Sequence, residues 1–172
     1  MKKGNLKGYL FRFSIVHVII YMFIALIFRN YLNYNEQFTS SVLYNNFRNL
    51  DSTIMRFAPL FQIGRGIFIG LIIYPIYNCI IGVKNGWLKL FGLLWGLSLI
   101  GSVAATPGSI EGFIYTETPL IEHLLGLPEV TLQTLLFSLI FVKWENNKYK
   151  KFLARKRKVE SLEPEEDEDE IL

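Results

Sequence analysis

Four apolar runs dominate this chain, at about 10–28, 58–81, 87–105 and 124–143. Each holds about 17 to 24 residues, and about 20 suffice to cross the hydrocarbon core of a bilayer. Hydrophobic residues make up 51% of the 172 and charged residues 19%. The apolar residues fall in blocks instead of at amphipathic spacing, which is the pattern of membrane helices and not of a soluble core. The expected fold is an all-α integral membrane protein: a four-transmembrane-helix bundle over 1–147, followed by a charged tail over 148–172.

The first run follows Lys2, Lys3 and Lys7, the order of a signal peptide. Its apolar stretch exceeds the roughly 7–15 residues of a cleavable signal and no small-x-small site follows it, so it reads as a retained helix. Basic residues near helix ends are kept on the cytoplasmic side. Arg12, Lys84, Lys89, Lys143 and the basic tail fall on the side of the N-terminal lysines, whereas Arg29, Arg48 and Arg56 fall opposite. Both termini are therefore expected in the cytoplasm of a prokaryotic cell. No Asn-x-Ser/Thr sequon occurs. The lone Cys79 allows no intrachain disulfide and reads as a packed apolar residue.

Two outer connections differ in character. The first, from Arg29 to Arg56, carries Phe38, Val42, Leu43, Phe47, Leu50 and Ile54 at near-helical spacing, which predicts an interfacial helix. The second reads ATPGSIEGFIYTETPLIEHLLGLPEV and lacks Lys and Arg. Such a segment is expected to dip partly into the membrane, with a turn at Pro107-Gly108 and a short helix over 119–125 opened at Thr118-Pro119 and ended by Gly126 and Pro128.

Arg65, inside the second run, holds a charge it cannot shed in a place where charge is expensive, so it marks the candidate site. At 1.5 Å per residue it lies about 28 Å along the helix from Lys84, while Glu129 lies about 21 Å from Lys143. Both fall in the outer half. Glu111 reaches the same level if the PGSIEG segment folds back, which makes Arg65 with Glu129 or Glu111 the expected ion pair. Gln62 and Gln133, one turn from Arg65 and Glu129, extend this into a polar lining for an anionic lipid or another carboxylate or phosphate.

Gly66 and Gly70 form one GxxxG pattern and Gly92 and Gly96 another, both signs of close helix packing. Pro75 denies Leu71 its amide partner and predicts a bend. His17 is expected to bond within the bundle. Glu111, Glu129 and His123 are the weak candidates for acid–base work, with Ser109 or Thr106 as a conceivable nucleophile, but no HExxH, paired-histidine or Cys-cluster motif accompanies them. No metal or cofactor is therefore expected.

The tail divides into KYKKFLARKRK and ESLEPEEDEDEIL. The basic block is expected to bind anionic headgroups and the acidic end to be disordered, making a disordered charged tail. Nucleic-acid binding is not expected, because a neighbouring membrane accounts for the basic patch. The function indicated is an accessory, assembly or transport-associated membrane subunit, acting alone, as a homo-oligomer or with a protein partner. The alternatives are a small membrane-embedded enzyme using Glu111 or Glu129 on a lipid-like substrate, and an oligomeric proton- or ion-coupled carrier.

Overall fold

The computed structural model describes residues 5–31, 53–100 and 108–161. The described chain is all-helical. The first helix, α1, runs Leu6–Tyr31, and a single turn, α2 (Thr53–Arg56), leads into α3 (Ala58–Ile73). Pro59 sits in the first turn of α3, where its missing N–H costs nothing. Pro75 lies in a 3-10 turn, Tyr74–Ile76, that joins α3 to α4 (Tyr77–Ile80). The bend expected from Pro75 is thus a change to tighter helical winding over one turn. Helix α5 runs Gly86–Ile100, two short helices follow as α6 (Ile110–Tyr115) and α7 (Leu120–Leu125), and α8 extends over Leu127–Glu160.

Three helical stretches are long and apolar enough to cross a membrane: Leu6–Asn30, Ala58–Ile80 and Leu120–Val159. They identify an integral membrane protein by length and hydropathy. The expected third span, over 87–105, is described only as far as Ile100, and its 15 residues cover about 22 Å against a core of about 30 Å. The first outer connection lies outside the described residues except for its last turn, α2.

Helix α1 is central, packed against α3 on one side and α8 on the other, and α8 in turn holds α5. Residue pairing shows that neighbours run antiparallel. Ser14 Oγ donates to the Ile63 carbonyl at 3.0 Å, and a Cβ built on Gly70 would touch Leu10 and Phe13. Toward the other side, the Phe13 ring lies 4.8 Å from Phe137, and Tyr9 lies 5.7 Å from Phe141. Trp95 Nε1 donates to Thr131 Oγ1 at 2.8 Å across α5 and α8. The core is aromatic: Tyr9, Phe13, Phe137 and Phe141 are buried and repeat at i, i+4 on their helices, so each pair presents one face.

The two GxxxG patterns have different fates. Gly66 and Gly70 are buried against α1, and a Cβ on Gly66 would stand 2.9 Å from Ser14 Oγ and 3.0 Å from Ser14 Cα. Gly92 and Gly96 meet nothing within 4 Å. Only the first pattern brings two helices of this chain together among the described residues.

The turn from α4 to α5 is fastened to α8. Gly82, at φ 79°, donates its N–H to Asn146 Oδ1 at 2.7 Å and faces the Tyr149 ring. Positive φ and the close ring both favour glycine there.

The basic tail departs from expectation. Residues Lys148 to Lys158 are not disordered but continue α8 without a break. The 34 residues of α8 span about 51 Å, far more than the bilayer core requires. Helical hydrogen bonds begun within the apolar segment propagate outward at little cost, because elongation avoids the penalty of a new nucleus. The acidic end lies outside the described residues.

Candidate functional site

Antiparallel packing of α3 and α8 about α1 brings polar side chains from all three to one level in the outer half. From α1 come His17 and Tyr21, from α3 come Gln62 and Arg65, and from α8 come Glu129 and Gln133. His17 Nε2 lies 3.3 Å from Gln62 Oε1, a bond that calls for the tautomer protonated at Nε2. Gln133 Nε2 donates to Glu129 Oε1 at 3.0 Å, four residues away on α8. Arg65 lies within electrostatic reach of both His17 and Tyr21, and Glu129 within reach of Tyr21. Tyr21 is thus within reach of one charge from each of the two helices that flank α1.

Arg65 is exposed at the edge of the bundle, whereas Gln62, Glu129 and Gln133 are half-buried. An exposed guanidinium there is open to contact from outside the bundle. Counting from Ala58, it lies about 10 Å into α3. Its long stem can carry the charge toward the outer headgroups, where a planar fork of N–H donors suits phosphate or carboxylate.

The outer segment has a different role. Ser109 caps α6, its hydroxyl accepting from the Gly112 N–H at 2.9 Å. His123 on α7 is 4% exposed, its Nδ1 accepting from the Gly108 N–H at 3.0 Å, and its ring meets Phe113 edge-on at 5.9 Å. These contacts tie α7 to α6 and to the turn that precedes α6, in which Gly108 adopts φ 88°. Glu111 is exposed in the first turn of α6, where a carboxylate complements the helix dipole. The charges bearing on His17 and Tyr21 are those of Arg65 and Glu129, with Glu111 and His123 not among them. Thr118 does not cap α7: the N-cap is Pro119, and Thr118 Oγ1 instead meets Thr116 Oγ1 at 2.9 Å. Thr106 lies outside the described residues. Among the described residues no three His, Cys, Asp or Glu side chains gather as a metal site would require.

A second polar group lies at the inner end of the bundle, where Arg12 and Glu145 form an ion pair. Arg12 on α1 donates from Nε to Glu145 Oε1 on α8, and Tyr77 Oη donates to Glu145 Oε2 at 2.9 Å. The side chains are 12% and 2% exposed for Arg12 and Glu145. Sequence reasoning assigned Arg12 to the basic inner side and passed over Glu145. The available signal was that Glu145 is the sole acid between Lys143 and Lys158, an acid placed where every neighbouring charge is positive.

No protein-family model matches the chain, and neither does any curated protein or solved structure.

Proposed function

We propose that this protein is a non-enzymatic membrane subunit, accessory to assembly or transport, that uses Arg65 on its outer half to hold an anionic lipid headgroup or another carboxylate or phosphate group. The observation that supports this reading is the convergence of Arg65, Gln62, His17, Tyr21, Glu129 and Gln133 from three helices, with Arg65 itself exposed at the surface of the bundle. A guanidinium in that position is stabilised by an anion that approaches laterally. Gln62 and His17 are bonded to each other behind it and hold the polar backing in place. Positive charge at the inner ends sets both termini in the cytoplasm.

Native mass spectrometry of the full chain, extracted gently with surrounding lipid, tests the proposal by comparing wild type with Arg65→Gln. The wild type is expected to retain an anionic molecule that Arg65→Gln loses, with the variant still folded. Equal retention of small molecules by both proteins, or an unliganded complex with another protein in both, would overturn the anion-binding role and make Arg65 structural.

A further inference from the structure

A cleft of about 630 Å³ runs along the surface between α1 and α3, from Lys7 at the start of α1 up to the level of Ile19 and Ile63, and Arg65 is not in its lining. Leu10, Phe11, Ile15 and Ile19 form its α1 wall and Ile63 and Ile67 its α3 wall. The α1 residues lie along one stripe of the helix, because spacings of three and four return to the same face. Close packing at Gly66 and Gly70 draws the helices together, and the cleft follows the line where their side chains part. Ser14 also lines it, but its hydroxyl is already donated to the Ile63 carbonyl. The depth of the cleft therefore offers an occupant apolar contact and little else.

Charge enters at one end only. Lys7 lines the cleft where α1 begins, and no acidic residue accompanies it in the lining. From Lys7 to Ile19 is about 18 Å along the helix axis, close to the roughly 15 Å of hydrocarbon in a single leaflet. We infer that the cleft holds one lipid of the inner leaflet, an acyl chain lying along Leu10, Ile15, Ile19 and Ile63 and an anionic headgroup against the Lys7 ammonium. The two ends of the cleft match the two ends of such a lipid in polarity, order and length. The inference rests on the bilayer placement of α1 and α3 and goes beyond the Arg65 reading, because the headgroup contact is at Lys7, at the far end of the cleft from Arg65, which does not line it.

Photo-crosslinking tests it with the full chain in nanodiscs, using phosphatidylglycerol or phosphatidylcholine that carries a photoactivatable group in the acyl chain. Adducts are mapped by peptide mass spectrometry. Adducts from phosphatidylglycerol are expected to concentrate on the stretches holding Leu10 to Ile19 and Ile63 to Ile67, and to exceed those from phosphatidylcholine. Ile15→Trp fills the cleft and is expected to abolish this concentration. Lys7→Gln changes an exposed residue that the fold does not need, and is expected to keep adducts in the cleft while reducing the anionic preference about fivefold. Arg65→Gln is expected to leave the cleft adducts unchanged, which separates the two proposals. Adducts spread evenly over all lipid-facing helices, or a headgroup preference indifferent to Lys7→Gln, would overturn the inference even if Ile15→Trp failed to fold.

Discussion

Glu145 is 2% exposed and carries its charge beside the Arg12 guanidinium and the Tyr77 hydroxyl. Both carboxylate oxygens are thereby satisfied, as a buried charge requires. Removing one partner leaves the other stranded: Glu145→Ala is expected to cost about 3–5 kcal/mol. The double variant Arg12→Leu with Glu145→Leu is expected to cost less than the sum of the two single changes, since neither charge is then left alone. Unfolding in mixed micelles checks this through a double-mutant cycle, and additive losses would show that the pair is not coupled. Arg65 and Arg12 make an instructive contrast. Both are arginines in apolar runs, and the one that reads as peripheral is the one enclosed. Side-chain partnership depends on which helices meet, and a single run of residues does not record that.

At the scale of helices, the glycine patterns separate packing inside the chain from open surface. Gly66 has Ser14 backbone against the position of a would-be Cβ, while Gly92 has nothing within 4 Å. Gly66→Ala is expected to destabilise the α1–α3 contact by about 1–3 kcal/mol through overpacking. Gly92→Ala is expected to be neutral or to stabilise by up to about 1 kcal/mol, because alanine is the better helix former. Thermal unfolding in detergent distinguishes them, and equal effects would mean that α5 also packs closely at Gly92. The long α8 changes the reading of the basic tail as well. On a straight helix Arg155 lies about 18 Å beyond Lys143, more than twice the screening length of about 8 Å at physiological salt.

For the whole molecule, antiparallel neighbours and the length of α8 place the start of α1 and the end of α8 at one end of the bundle, with α6 and α7 at the other. In a Cys79→Ser background, Asn5→Cys and Lys158→Cys are expected to react with an impermeant maleimide from the same side of the membrane, and Glu117→Cys from the opposite side. Labelling of intact cells against inverted vesicles reads this directly. Reaction of Asn5→Cys and Lys158→Cys from opposite sides would mean that the helices cross an odd number of times.

Much of the architecture was legible without coordinates. The apolar runs dictated helices, because a backbone in hydrocarbon must satisfy its own hydrogen bonds. Pro75 marked the 3-10 turn, and Gly126 with Pro128 marked the end of α7 and the start of α8, since these residues act on backbone geometry within a few positions of themselves. Tertiary structure alone decided the rest: that Gly66 is covered and Gly92 open, that His123 binds the Gly108 N–H, that Arg12 meets Glu145, and that α1 and α3 leave a cleft beside Lys7. Helix formation is a local consequence of composition, whereas which faces meet is set by how side-chain shapes from distant segments fit together.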